Sequence, residues 1–122
     1  MYFGIYDGWK WEEVNKINPE IDRIHKETNK IMCIPDQETT EQVEKRIYDC
    51  VEKIAKENIG KNVLICSHGI AIETFLRKIN NEKFTEDIEL YGQRNTSINI
   101  LEYDCEKNKF KVLILNDFSH LK

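Results

Sequence analysis

"NVLICSHGIAIETFLRKI", residues 62–79, joins a continuous apolar run to a helical pattern through one histidine and one glycine. The unbroken apolar run at 62–66 predicts a central strand that is covered on both faces, as in a parallel sheet. Apolar residues three and four positions apart over 69–79 predict that a helix follows at once. His68 and Gly69 therefore lie in the turn at the carboxyl edge of the predicted sheet, where open α/β folds bind their ligands.

The turn at His68 favours the binding of an anion. Gly69 lets the chain turn tightly, and the predicted helix begins with unpaired backbone N–H groups and the positive end of its dipole. We therefore expect His68 to lie where a phosphate would be held. From these residues alone two interpretations stay open. His68 either caps the helix or has another structural role, or it takes part in chemistry, which requires a second group.

The rest of the chain predicts three more helices and two more strands. The helices are predicted at 9–17, 19–30 and 39–60, and the strands at 96–104 and 109–117, where they form an antiparallel hairpin. The helix at 39–60 should begin with a capping box of Thr39 and Gln42 and end at Gly60. These elements indicate an α/β protein whose sheet is thin, since only three strands are predicted.

Composition indicates one small globular domain. The 122 residues are 40% hydrophobic and 33% charged, and their net charge of −4 argues against nucleic-acid or anionic-membrane surfaces. No signal-peptide pattern or apolar run of membrane-spanning length occurs. The four cysteines form no C-x-x-C pair, which predicts reduced thiols in a cytoplasmic protein and neither disulfides nor a zinc site. Cys50 and Cys66 occupy apolar positions, so we expect them to be small core residues.

Five motifs follow one another in an order that resembles a known family. They are "FGIYDGWKWEEV" (3–14), "IPDQETTEQVEKRI" (34–47), "NVLICSHGIAIETFL" (62–76), "RNTSINILEYD" (94–104) and "LNDFSHL" (115–121). In this order the chain is similar to the histidine phosphatase superfamily, also called phosphoglycerate mutase-like, over essentially its whole length. The resemblance implies a three-layer α/β sandwich with helices on both faces of the sheet, formed by a single domain over 1–122.

The resemblance also implies a chemistry. The family hydrolyses phosphomonoesters of small molecules through a phosphohistidine and needs no metal or other cofactor. By this resemblance His68 is the catalytic histidine that completes the phosphate pocket, with Gly69 behind it as a second phosphate-binding residue. The family's nucleophile lies in an Arg-His-Gly motif on the first strand, and its acid is a glutamate before the Phe-Gly segment. The 122 residues contain neither, because His25 and His120 are followed by Lys and Leu.

These departures predict that the chain corresponds to the carboxyl-terminal half to two-thirds of the family domain and is nearly inactive alone. Phe3 and Ile70 differ from the residues usual in the family's mutases, which favours a phosphatase. Glu73 replaces an arginine common in the phosphatases, and its negative charge would not help a phosphate pocket. Glu38 is expected to order its loop or to cap the helix that follows, rather than to bind a ligand.

Two other functions remain open from the sequence. The first is a non-catalytic module of the same fold that binds an anion or a partner protein. The second, in which Cys66 or Ser67 is an independent nucleophile, lacks an identifiable base. Because the family's first strand pairs beside the strand at 62–66, we also expect exposed strand edges, and hence homo-oligomer formation or strand exchange.

Overall fold

The computed structural model describes residues 2–21, 23, 34–81 and 91–121. The chain divides into two compact units, residues 1–42 and residues 43–122. The helices are α1 (Trp11–Ile17), α2 (Thr40–Glu57) and α3 (Gly69–Ile79), and the strands are β1 (Ile98–Asp104) and β2 (Lys109–Asp117). A 3-10 helix at Gly4–Tyr6 precedes α1.

The first unit folds around a small apolar cluster. Val14 on α1 is buried together with Ile21 and Ile34, and the half-buried Tyr6 packs against them. Residues 19–21 and 23 are helical, as expected from Pro19. The other residues of the helix predicted at 19–30, including His25, lie outside the described residues.

Two contacts join the chain near Phe3 to the loop before α2. Gly4 has a φ of +61°, and a Cβ there would collide with the Pro35 carbonyl oxygen, so this position requires glycine. The Glu38 carboxylate accepts a hydrogen bond from the Tyr2 N–H at 3.1 Å, and the Glu38 N–H donates to the Tyr2 carbonyl at 3.1 Å. Glu38 therefore orders its loop, as predicted.

Helix α2 begins and ends close to where its sequence signals indicate. The Thr39 N–H donates to the Gln42 side-chain oxygen at 2.8 Å, and the Gln42 N–H donates to the Thr39 hydroxyl at 3.2 Å, which forms the expected capping box. Gly60 follows the helix with a φ of +76°. The prediction that Cys50 is a core residue is wrong, since its thiol is exposed. The apolar stripe of α2 is only half-buried along most of its length, and Val43 is its one fully buried residue.

The predicted hairpin is confirmed. β1 and β2 pair in antiparallel fashion, and Tyr103 lies opposite Phe110. The Asp104 carboxylate accepts hydrogen bonds at 3.0 Å from the N–H groups of Glu106 and Lys107, which closes the turn. These backbone hydrogen bonds lower the pKa of Asp104, because they favour its charged form. The hairpin is therefore stabilised by local contacts.

Aromatic rings attach one face of the hairpin to the helices of the second unit. The ring of Phe110 meets the ring of Phe75 on α3 at 5.2 Å and that of Tyr103 at 4.7 Å between centroids. Tyr48 on α2 lies 6.1 Å from Phe110. Four large apolar side chains of the hairpin remain exposed, namely Ile98, Ile100, Leu113 and Ile114.

The prediction of a buried central strand at 62–66 is wrong. Residues 62–68 have no strand or helix assignment, and the described part of the chain contains one two-stranded sheet, made of β1 and β2 alone. The exposed fractions of Val63, Leu64 and Ile65 are 47%, 90% and 44%. Cys66 is exposed as well, so it is not the core thiol that was expected. An apolar run indicates a strand in the interior of a sheet. Such a strand needs neighbouring strands to pair with, and none among the described residues pairs with 62–66.

Candidate functional site

His68 stands directly before α3. Its backbone is extended, with φ −107° and ψ 154°, and its carbonyl oxygen accepts the Ile72 N–H at 3.0 Å, as the residue preceding a helix does. The imidazole makes no capping hydrogen bond, and the residue is exposed. Of the two interpretations of the sequence, side-chain capping is therefore not what the structure shows. The imidazole lies at the surface beside the start of a helix.

Gly69 is the first residue of α3. The chain passes from the extended His68 straight into the helix at this residue, and its φ is not among the positive values found at Gly4, Gly8 and Gly60. A Cβ at Gly69 would first meet the Gln93 Cβ at 3.9 Å, an ordinary van der Waals contact. Neither backbone conformation nor crowding therefore demands glycine here. The backbone N–H groups of the first helical turn, which begins at this residue, have no partner within the helix.

A polar network holds the segment that precedes β1. The Gln93 amide donates a hydrogen bond to the Tyr91 carbonyl at 2.7 Å and accepts one from the Asn99 amide at 2.7 Å. The Asn116 amide donates to the Gly92 carbonyl at 2.8 Å. These residues were not identified from the sequence. The sequence signal that could have identified the network is Asn99, an amide at a β1 position where an apolar residue would be ordinary. In the structure this amide is half-buried.

Glu73 does not place an uncompensated charge near His68. Its carboxylate is buried on α3 and accepts hydrogen bonds from the Arg77 guanidinium at 2.9 Å and 3.1 Å. The guanidinium also lies 5.0 Å from the centroid of the buried Tyr91 ring. The Asn80 amide donates to the Tyr91 hydroxyl at 2.8 Å. Glu73 is therefore part of a packed ion pair, and the expected electrostatic penalty to a phosphate is offset by Arg77.

The part of the chain that the structure describes contains neither a group of candidate metal ligands nor a helix suited to a membrane. No three His, Cys, Asp or Glu side chains are grouped there so that they could hold a metal ion. No helix in the same residues is both long enough and apolar enough to cross a membrane.

Comparisons with known proteins agree on the fold. YhfR of Bacillus stearothermophilus superposes with a TM-score of 0.73 at 22% sequence identity, over 99% of this chain and 59% of its own. This chain thus spans less than two thirds of that structure. The predicted fold class is confirmed, since the helices and two-stranded sheet fit an incomplete α/β sandwich of the phosphoglycerate mutase-like type. No curated protein shows significant similarity to the chain.

The family model of the histidine phosphatase superfamily (branch 1) matches residues 1–117. This match extends through both compact units and includes all five motifs noted in the sequence, apart from the last four residues of the fifth. The chain belongs to the histidine phosphatase superfamily.

Proposed function

We propose that residues 1–122 form one histidine phosphatase-like domain in which His68 and Gly69 hold the phosphoryl group of a small phosphorylated molecule. The observation that carries this proposal is the start of α3. There an exposed imidazole, not used for capping, precedes a glycine that neither conformation nor crowding requires. Such a place offers an anion one side-chain donor and several backbone donors. Membership of the family supports a phosphorylated ligand.

The parent activity would be hydrolysis of a phosphomonoester through a phosphohistidine. In such a reaction an imidazole nitrogen attacks phosphorus, the P–O bond to the alcohol breaks, and water later releases phosphate. His68 and the first N–H groups of α3 would donate hydrogen bonds to the phosphoryl oxygens, whose negative charge they stabilise. The attacking histidine of the family lies in an Arg-His-Gly motif that is absent from these 122 residues. By itself, the chain is therefore proposed to bind a phosphoryl group and not to transfer it.

A second candidate function is a non-catalytic anion- or protein-binding module of the same fold. The observation that favours it is the absence of the Arg-His-Gly motif together with the exposed apolar side chains of 63–65. The two functions predict different effects of adding a segment that contains the Arg-His-Gly motif. If a segment that supplies Arg-His-Gly restores hydrolysis, the chain is part of an enzyme; if it restores only stability, the chain is a binding module.

Phosphate binding tests the proposal directly. We expect inorganic phosphate to shift the backbone amide NMR signals of Gly69 and Ile70 saturably. His68→Ala should weaken this binding about 10- to 100-fold, because a hydrogen bond to a charged group contributes roughly 1.5–3 kcal/mol. His120→Ala is the matched control, since it removes another exposed histidine of the second unit. Equal phosphate affinity in the two variants would contradict the assignment of His68.

Gly69→Ala should separate binding from folding. We expect unchanged or slightly higher stability, by at most about 1 kcal/mol, because alanine is the better helix former and its Cβ has room. Phosphate binding should weaken several-fold, since the Cβ narrows the approach to the first N–H groups. Gly4→Ala is the control and should destabilise strongly, because its Cβ meets the Pro35 carbonyl oxygen. Urea unfolding compares the two, and a Gly69→Ala variant as unstable as Gly4→Ala would contradict this interpretation.

We also propose that two copies of the chain pair through 62–66. This segment pairs with no strand among the described residues and exposes three large apolar side chains, a combination that favours strand pairing. Light scattering should show oligomers at micromolar concentration. Leu64→Lys should shift them toward monomers, because Leu64 is the most exposed of the three. Ile59→Lys, at an exposed position outside the segment, should not. A stable monomer whose 62–66 amides resist hydrogen exchange would show that this proposal is wrong.

A further inference from the structure

Gln93 links the segment before β1 to the first turn of α3. We propose that Gln93 is a positioning residue, which holds Gly69 in place for the phosphate site. That phosphate is the ligand of this site rests on the proposed function above. Neither the sequence motifs nor the family match assigns a role to this side chain. Three observations support this role: the position of Gln93 next to Gly69, the hydrogen bonds that fix its amide, and the anchoring of the segment that carries it.

The first observation is the position of Gln93 next to the helix. The Gln93 Cβ lies 3.9 Å from the point that a Cβ on Gly69 would occupy, and, chain neighbours apart, no other side chain of the described residues lies within 4 Å of that point. Gln93 is half-buried. It therefore lies beside the helical turn whose first N–H groups would face a phosphate. A half-buried neighbour restricts how far that turn can shift toward it.

The second observation is that the Gln93 amide is held by three hydrogen bonds. Its nitrogen donates to the Tyr91 carbonyl at 2.7 Å. Its oxygen accepts from the Asn99 amide at 2.7 Å and from the Ser97 hydroxyl at 3.3 Å. Rotation of the side chain would break all three bonds. The side chain beside Gly69 is thus fixed in one orientation and is not a mobile surface group.

The third observation is that the segment carrying Gln93 is anchored on both sides. The Asn116 side chain of β2 donates to the Gly92 carbonyl at 2.8 Å and accepts from the Arg94 N–H at 3.1 Å. Tyr91 is only 3% exposed, and its hydroxyl accepts the Asn80 amide hydrogen bond at the end of α3. The residues before and after Gln93 therefore cannot follow a movement of Gly69. Gln93 transmits the rigidity of this frame to the first turn.

This arrangement has a consequence for ligand binding. Helix ends fray, and a frayed first turn would not present its N–H groups in a fixed direction. A site whose donors are held before the ligand arrives binds more tightly, because less ordering is required on binding. Loss of the Gln93 hydrogen bonds should therefore loosen Gly69 and weaken phosphate binding, although Gln93 itself need not touch the phosphate.

The test compares Gln93→Met with the unaltered 122-residue chain by NMR. Methionine keeps a similar length for packing against Gly69 but makes none of the three hydrogen bonds. Without ligand, we expect the order parameter of the Gly69 amide to fall from the rigid range near 0.85 toward 0.6 or below. With inorganic phosphate as the probe, we expect about a five- to tenfold weaker Kd, the effect of roughly one lost hydrogen bond.

Gln42→Met is the matched control, because it removes a glutamine that caps the start of another helix. It should lower general stability but leave the Gly69 signal and phosphate binding unchanged. Unchanged order at Gly69 in Gln93→Met would overturn the positioning role, even where phosphate binds. Phosphate that fails to bind the unaltered chain would overturn the phosphate site, and with it the ligand assigned here, whatever the Gly69 signal shows.

Discussion

The 122-residue chain is expected to hydrolyse a generic phosphomonoester no faster than its His68→Ala variant. The residues contain no Arg-His-Gly motif to supply the attacking imidazole. Loss of a nucleophile alone can lower turnover by about six orders of magnitude. The proposed phosphate-binding groups, His68 and Gly69, would therefore lack the nucleophile of this motif. The rate of product release from a chromogenic aryl phosphate measures this directly.

Protein variants measured in the same assay distinguish activity of the chain from activity of a contaminating enzyme. His120→Ala serves as the control for loss of a surface histidine. Turnover of about 1–10³ per second, the range of ordinary enzymes, that disappears in His68→Ala and persists in His120→Ala would contradict the prediction. It would mean that His68 or a neighbouring group supplies the nucleophile.

Arg77→Met should destabilise the chain more than any surface change, by about 3–5 kcal/mol. The reason is that the Glu73 carboxylate would remain buried without its ionic partner. The side chain of Arg77 is only 2% exposed, and that of Glu73 10%. Because small domains have a total stability of about 5–15 kcal/mol, this single change should leave a marginal fold. Urea unfolding followed by circular dichroism gives the free energy of unfolding.

Two further variants identify the cause of this loss. Glu73→Leu combined with Arg77→Met removes both charges and should recover much of the stability, since an apolar pair can replace a buried ion pair. Lys45→Met breaks an exposed helical ion pair with Asp49, whose side chains are 78% and 58% exposed, and should cost about 0–1 kcal/mol. If Arg77→Met costs no more than Lys45→Met, the Glu73–Arg77 pair is not a determinant of stability.

Elements with signals inside their own sequence could be predicted. The capping box of Thr39 and Gln42 marks the start of α2, and the periodicity after His68 gives the bounds of α3. The hairpin follows from two apolar runs and a polar turn that Asp104 closes through its own neighbours. In each case the deciding contacts lie within a few residues along the chain, so the pattern contains the necessary information.

Features that depend on distant neighbours could not be predicted in the same way. The pattern at 62–66 indicates a covered strand, but burial requires other strands, and none pairs with it in the described residues. Cys50 and Cys66 are exposed although they occupy apolar positions, because burial also depends on which distant elements cover those positions. That the turn at Gly69 does not require glycine is visible only in its backbone conformation and surroundings. Gln93 had no visible role, because its partners Asn99 and Ser97 form no periodic pattern.

The exposure of Leu64 affects the lifetime of the chain in a cell. Proteases and chaperones act on exposed apolar segments, and the segment at 63–65 exposes three large apolar side chains and pairs with no strand among the described residues. Cleavage there needs no global opening of the fold, so turnover would not depend on the stability of the Glu73–Arg77 pair. The abundance of the chain would instead follow the fraction of molecules in which this segment is covered. A partner that pairs with it would therefore act as a protective factor as well as a structural one.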